Sequence, residues 1–139
     1  MKHILFAAAA IALSSCSATK TIGPDLNGEW DIVEVNGAAI DTTKTEFRPT
    51  LGFEIAKDNV YGCAGCNSIY GIARVNTAKQ TINFKEIGTT RLLCAKMEYE
   101  QQILKAREGV KAYKGAKDGR VDLTNASGKT LMTLKKQAK

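Results

Sequence analysis

The stretch that decides the fold is residues 94–109, which read CAKMEYEQQILKAREG. Apolar side chains are spaced there among Glu, Gln, Lys and Arg, and neither Pro nor Gly occurs before the last position, a composition that favours helix. Tyr99, Ile103 and Ala106 fall on one stripe of such a helix, and Gly109 is suited to end it. We therefore predict one helix, over about residues 95–108.

Both flanks of this helix are typical of β-strands. Runs rich in β-branched and aromatic residues are separated by turn signals, of which Asn36-Gly37 is the strongest. These runs cover residues 30–35, 51–55, 60–61, 69–75 and 81–84 before the helix, and 110–113, 121–123 and 131–134 after it. This order predicts an α+β domain, in which the helix packs on a small antiparallel sheet that is strongly curved or barrel-like. We expect core packing for the strand aromatics Trp30, Phe53, Tyr61, Tyr70 and Phe84.

The start of the chain has the features of a bacterial export signal. A positive segment, Met1-Lys2-His3, precedes the uncharged run Ile4–Leu13, which is too short to span a bilayer, since that takes about 20 residues. The next residues, Leu13-Ser14-Ser15-Cys16, resemble the lipobox of bacterial lipoproteins. We therefore expect cleavage before Cys16 and attachment of fatty acyl chains, such as palmitate, to that cysteine.

This predicts a chain of four parts held at a membrane by lipid. They are a signal peptide over residues 1–15, a lipidated tether over 16–25, one domain over 26–136 and a tail over 137–139. Ser17 follows Cys16 where inner-membrane lipoproteins of enterobacteria have Asp. The predicted location is therefore the cell envelope, on the outer membrane and facing the periplasm.

Composition argues against most catalytic classes. Removal of residues 1–15 takes away Lys2 and the one histidine, which leaves 19 of the 20 basic residues against 14 acidic ones. Without histidine the commonest general base and the commonest nitrogen ligand are missing, so we expect no catalytic site, no metal and no cofactor. An exported protein also has little use for nucleic acid. Glu98 and Glu100 lie two residues apart on the predicted helix, which points them in different directions, and we expect both on a solvated face.

Three cysteines remain after Cys16: Cys63, Cys66 and Cys94. An oxidising compartment favours one disulfide among them with one thiol left over, and the residues alone do not choose the pair. Cys63 and Cys66 also form a Cys-x-x-Cys pair, the motif of thiol–disulfide oxidoreductases. Here the motif lies between two strand-like runs and not at a helix N-terminus, which disfavours the redox interpretation.

The ordered motifs resemble those of the META domain, the HslJ-like lipoprotein family, over residues 26–134. Leu26-Asn27-Gly28-Glu29-Trp30 is similar to the family's opening, Gly65-Cys66-Asn67-Ser68-Ile69-Tyr70-Gly71 to its centre and Thr90-Arg91-Leu92-Leu93-Cys94 to its turn before the helix. The residues that match the last two motifs are Gly65, Cys66, Asn67, Gly71, Thr90, Arg91 and Cys94. The resemblance implies a Cys66–Cys94 disulfide, with Cys63 as a free or alternative thiol and Cys63–Cys94 as the competing pair.

Two motif residues receive structural interpretations. We expect Asn67 to be a turn residue that bonds its own backbone. We expect Arg91 to brace the sheet by donating to carbonyls, with binding of an anionic partner as the alternative.

For function, the resemblance implies an envelope lipoprotein, since the HslJ-like family is associated with heat-shock expression and novobiocin tolerance. We predict a non-catalytic, stress-related module that binds an envelope protein or assists envelope maintenance. The alternatives are a periplasmic thiol–disulfide oxidoreductase using Cys63 and Cys66, and a barrel that binds a lipid or another amphiphile.

Overall fold

A computed structural model describes residues 23–139. The predicted signal peptide, Cys16 and most of the predicted tether therefore lie outside the described residues. Within residues 23–139, one α-helix, α1 (Glu100–Gly109), interrupts a series of strands, and three short 3₁₀ helices cover Thr42–Lys44, Ile55–Lys57 and Lys117–Gly119. The strands are β1 (Gly28–Val35), β2 (Ala38–Ala39), β3 (Thr50–Glu54), β4 (Asn59–Cys63), β5 (Ser68–Asn76), β6 (Thr81–Thr89), β7 (Ala112–Gly115), β8 (Val121–Thr124) and β9 (Thr130–Lys136).

The sheet closes on itself. All strand pairs are antiparallel, and the order β1-β3-β4-β5-β6-β7-β8-β9 returns to its start because β9 also pairs with β1, from Trp30 opposite Lys136 to Val35 opposite Met132. Short β2 continues β1 through the predicted Asn36-Gly37 turn. The α+β, barrel-like architecture predicted from the sequence is confirmed, with α1 packed against β1 and β9.

The barrel interior holds the hydrophobic core. Inward residues of the strands alternate with outward ones, and the buried set includes Trp30, Phe53, Val60, Leu123 and Leu134. The expectation of core packing was wrong for two aromatic residues. Tyr61 and Tyr70 point outward, where their rings cover Gly52 on β3 and Gly88 on β6, because both residues fall in the outward phase of their strands.

The hairpin of β5 and β6 is bent by a bulge. The register shifts between Tyr70 and Ile72, and a Cβ placed on Gly71 would lie 2.7 Å from the carbonyl oxygen of Glu86. Glycine is therefore required at this position by close backbone approach. The bulge lets β6 continue to Thr89, five residues beyond the predicted end of this strand, and so delivers the chain to the segment before the helix.

The helix starts later than predicted. Residues 90–99 form an irregular segment, and α1 begins at Glu100, not near residue 95. Cys94 is tied by a disulfide and Met97 forms an isolated bridge with Thr45, so the backbone there is held against the barrel and cannot wind into a helix. Within residues 23–139, no helix has the length and apolar character needed to span a bilayer.

Candidate functional site

The candidate site joins three segments at one end of the barrel. The β4–β5 connection supplies Cys66 and Asn67, the segment after β6 supplies residues 90–94, and the first turn of α1 supplies Glu100. The first two segments carry the motifs singled out in the sequence. We call the side chains of Cys66, Asn67, Cys94 and Glu100 the clamp, because their bonds converge on residues 90–94.

Glu100 is the buried charge of the clamp. Its side chain is 5% exposed, although it lies only two residues from the solvated Glu98. One carboxylate oxygen accepts from the backbone N–H groups of Cys66 (3.1 Å) and Asn67 (2.7 Å), and the other accepts from the side-chain amide of Asn67 (2.6 Å). Charge-assisted hydrogen bonds of this kind are about twice as strong as neutral ones, which compensates for burial of the carboxylate.

Asn67 connects Glu100 to the segment after β6. Its side-chain oxygen accepts from the hydroxyl of Thr90 (2.9 Å) and from the backbone N–H of Leu92 (2.6 Å), while its amide nitrogen donates to the carbonyl of Leu92 (3.1 Å) as well as to Glu100. Asn67 thus bonds a distant segment, and the expectation that it bonds its own backbone was wrong. One amide side chain satisfies both backbone polar groups of Leu92.

A disulfide closes the clamp. Cys66 and Cys94 are bonded, with their Cα atoms 6.1 Å apart, which is the pairing implied by the family resemblance. Gly65 precedes this cysteine with φ +113°, a conformation that L residues rarely adopt, and its carbonyl accepts from the backbone N–H groups of Glu46 (3.0 Å) and Phe47 (2.8 Å). The chain therefore turns sharply enough for Cys66 to face the segment after β6.

Cys63 carries the thiol left over among the described cysteines. It ends β4, and its sulfur accepts from the backbone N–H of Gly65 at 3.3 Å. Desolvation by burial raises the pKa of this thiol above its usual range, and the charge of Glu100 acts in the same direction. The thiol is therefore held in its protonated, weakly nucleophilic form.

The clamp leaves three side chains of its own loop in solvent. Leu92 is 57% exposed and Leu93 is 96% exposed. Arg91 is also exposed, and within residues 23–139 it makes no hydrogen bond or ion pair. The expectation that Arg91 braces the sheet was therefore wrong: Thr90 and Asn67 hold the segment, and the guanidinium is left outside. Across the same residues, no group of three or more His, Cys, Asp or Glu side chains is placed to hold a metal ion.

The expectation that Glu100 lies on a solvated face was wrong, because its side chain is buried, and its neighbours contain the signal that identifies it. Glu100, Ile103 and Ala106 are the buried residues of α1 and follow one another at intervals of three. A carboxylate on the apolar stripe of a helix must be either solvated at the end of the helix or paired inside. With the helix predicted to start near residue 95, Glu98 and Glu100 fell beyond its first residues. The sequence therefore did not indicate that Glu100 belongs to the first turn.

Comparisons with known proteins agree with this fold. Residues 24–138 match the model of a family described as META domain. No curated protein matches the chain. A protein from Burkholderia xenovorans, solved by NMR, superposes with a TM-score of 0.62 at 19% identity. The match covers 100% of this chain and 99% of the Burkholderia chain. A DUF4847 family protein from Bacteroides vulgatus, solved by crystallography, superposes with a TM-score of 0.53 at 17% identity, covering 81% of this chain and 96% of its own. At these identities the two likenesses concern the fold alone.

Proposed function

The chain belongs to the META domain family, and from this membership and the geometry of the clamp we propose that it is a non-catalytic lipoprotein of the bacterial envelope. Cys16 anchors it in the outer membrane, facing the periplasm, and the barrel binds another envelope protein under stress.

One observation carries the non-catalytic part: every polar side-chain atom of Asn67 and Glu100 is hydrogen-bonded within the chain itself. Both carboxylate oxygens of Glu100 accept from Cys66 and Asn67, and both polar atoms of the Asn67 side chain are bonded to Thr90, Leu92 or Glu100. A general base must keep an acceptor available for the proton that it abstracts. The buried carboxylate is instead used to hold backbone, which supports a structural role.

The oxidoreductase alternative has less support. A Cys-x-x-Cys couple cycles between its own dithiol and disulfide, but Cys66 is bonded to Cys94 and not to Cys63. The raised pKa of the Cys63 thiol also lowers the thiolate fraction that attack on a substrate disulfide needs. Both observations favour a structural role for the cysteines.

The amphiphile-binding alternative is also less well supported. Barrels that hold a ligand keep an open interior, whereas here Trp30, Phe53, Val60, Leu123 and Leu134 fill the space between the strands. A cleft of about 530 Å³ opens at the surface, and its lining includes Asp25, Asn27, Glu29 and Lys136. This cleft lies outside the barrel interior, so it is not the enclosed cavity that a barrel offers to an acyl chain.

The anchor is tested with the full-length chain and its Cys16→Ser variant in the bacterium that encodes it. We expect labelled palmitate to enter the wild type alone, and the wild type to sediment with outer membranes while the variant does not. Lys79→Ala is a matched control on the exposed surface of the domain, and it should be labelled and sorted like the wild type. Labelling of the Cys16→Ser variant would contradict the proposed anchor.

The binding function is tested by proximity crosslinking of the lipidated chain in its own envelope, at normal temperature and after heat or novobiocin. We expect one envelope protein to be captured repeatedly, and more of it under stress. Capture of lipid alone under every condition would contradict protein binding. Equal sensitivity to novobiocin of a deletion strain and its parent would contradict the role in stress.

A further inference from the structure

The exposed apolar residues of the described chain belong to segments at one end of the barrel. Between residues 23 and 139, the large hydrophobic residues with more than half of their surface exposed are Phe47, Tyr70, Leu92 and Leu93. Phe47 donates its backbone N–H to the carbonyl of Gly65, which precedes Cys66 in the sequence. Leu92 is bonded to Asn67, which follows Cys66. Tyr70 is two residues into β5, which starts at the same end. Clustered exposed apolar side chains mark interaction sites, whereas scattered ones do not.

Leu92 and Leu93 are also held in place. Both backbone polar groups of Leu92 are bonded to the Asn67 side chain, and the disulfide fixes Cys94 two residues later. The clamp thus orders an exposed loop before any contact is made. Ordering a loop in advance removes part of the entropic cost of binding, so rigid apolar side chains are well suited to dock into a pocket.

Two basic side chains close to the leucines in sequence are exposed and form no ion pair within residues 23–139. In the described part of the chain, Arg91 and Lys96 are exposed and form no ion pair, whereas Lys44 is paired with Glu98 and Arg48 with Asp31. Arg91 and Lys96 flank the leucines in sequence. A partner with carboxylates around an apolar pocket would match this arrangement.

The position of the chain start disfavours a membrane as the occupant. Gly23 lies against the side chain of Gln80, in the turn between β5 and β6, and the two leucines follow the other end of this hairpin. The nine residues of β5 separate these ends by about 27 Å. With the anchor at Cys16, residues 16–22 span at most about 25 Å when fully extended. The leucines therefore lie farther from the bilayer than Gly23, unless the hairpin lies along the membrane or folds back toward it.

We propose that Arg91, Leu92 and Leu93 form the docking surface for the envelope protein. This inference rests on the proposed function and names its contact. Leu92 and Leu93 enter an apolar pocket of the partner, and Arg91 pairs with a carboxylate at the rim of that pocket. The clamp does not touch the partner and acts by holding the loop.

The test uses the full lipidated chain within its own envelope, with a photoreactive amino acid at position 93. The comparison site is position 79, in the turn at the opposite end of β5 and β6. We expect one protein adduct from position 93 that is lost in the Arg91→Glu background, and no protein adduct from position 79. With the captured protein purified, Leu93→Asp and Arg91→Glu should each weaken its binding at least about tenfold. Lys79→Asp is the matched control and should leave affinity unchanged. Both tested side chains are exposed, so Tm should stay at the wild-type value.

Three results would overturn the inference. Phospholipid adducts from position 93 would show that the loop faces the membrane. A captured partner whose affinity is unchanged by Leu93→Asp would place the contact elsewhere. If proximity crosslinking captures a protein but position 93 does not, the proposed function stands and this docking surface falls.

Discussion

The side-chain amide of Asn67 donates to the buried carboxylate of Glu100 at 2.6 Å, across 33 residues of sequence. This contact joins the β4–β5 connection to the first turn of the helix. The same amide side chain holds Leu92, so a carboxylate inside the domain determines the position of an exposed loop.

The first prediction concerns the buried carboxylate. Glu100→Gln keeps the shape of the side chain but turns an acceptor into a donor that faces the Asn67 amide. We expect the free energy of unfolding to fall by about 3 kcal/mol, the range for losing charge-assisted bonds and leaving a buried donor unpaired. Urea denaturation measures this. Glu98→Gln is the matched control, because Glu98 is exposed and paired only with Lys44; it should cost less than about 1 kcal/mol.

The second prediction is a double-mutant cycle. Asn67→Asp places two carboxylates face to face and should be strongly destabilising at neutral pH, with partial recovery in acid as one carboxyl is protonated. In the double variant Asn67→Asp, Glu100→Gln, the donor and acceptor between positions 67 and 100 are exchanged and this contact is restored, whereas the Leu92 carbonyl still lacks its donor. We expect the double variant to be more stable than the sum of the single changes predicts by about 2 kcal/mol. Simple additivity would show that the two side chains do not meet.

The third prediction concerns the disulfide. Cys94→Ser removes a bridge with a sequence separation of 28, and chain-entropy reasoning gives a loss of about 3–4 kcal/mol of stability. Thermal unfolding before and after reduction measures it. Cys63→Ser is the control and should shift Tm little, since the serine oxygen can still accept from Gly65. Equal effects of the two substitutions would be inconsistent with a Cys66–Cys94 bridge.

The fourth prediction is a pH dependence. Burial raises the pKa of the Cys63 thiol, so its alkylation by iodoacetamide should reach half-maximal rate at a higher pH in the folded chain than in urea. At pH values between the two midpoints, the folded chain retains the Cys63 proton that the unfolded chain has lost. Stability therefore falls as pH rises through the range of thiol titration, and Cys63→Ser removes this component. A midpoint lower in the folded chain would instead support the oxidoreductase alternative.

The fifth prediction concerns the bulge between β5 and β6. A methyl group at position 71 would lie 2.7 Å from the carbonyl oxygen of Glu86, which is backbone and cannot move aside without disturbing the sheet. Gly71→Ala should cost about 2 kcal/mol. Gly115→Ala is the control, because nothing lies within 4 Å of the added methyl. Chemical denaturation of the two variants would distinguish this requirement for glycine from a general effect of Gly to Ala changes.

The strand series and the single helix could be predicted because their signals are local. The alternation of apolar with other residues along Leu51–Ile55 indicates a strand over those same residues. The Asn36-Gly37 dipeptide likewise indicates a turn at its own position. The sheet was expected to be strongly curved or barrel-like, but the strand pair that closes it was not identified. Pairing of β1 with β9 joins the two ends of the domain and depends on twist summed over every strand.

The clamp could not be predicted in the same way. The residues of two of its segments were identified from the motifs, but the burial of Glu100 depends on where the helix begins. That start is set by the disulfide at Cys94 and the bridge between Met97 and Thr45, neither of which is local. Asn67 shows the same limit. Its residue type suits a turn, and its actual partners, Leu92 and Glu100, are distant in sequence.

The most direct test of the central claim, that the clamp holds an exposed loop rigid, is amide hydrogen exchange measured by NMR at Leu92 and Leu93. The Leu92 N–H donates to Asn67, whereas the neighbouring Leu93 N–H has no acceptor in the described part of the chain. We predict that Leu92 exchanges at least about a hundredfold more slowly than Leu93, and that Glu100→Gln reduces this difference. Equally fast exchange of the two amides in the wild type would contradict the account.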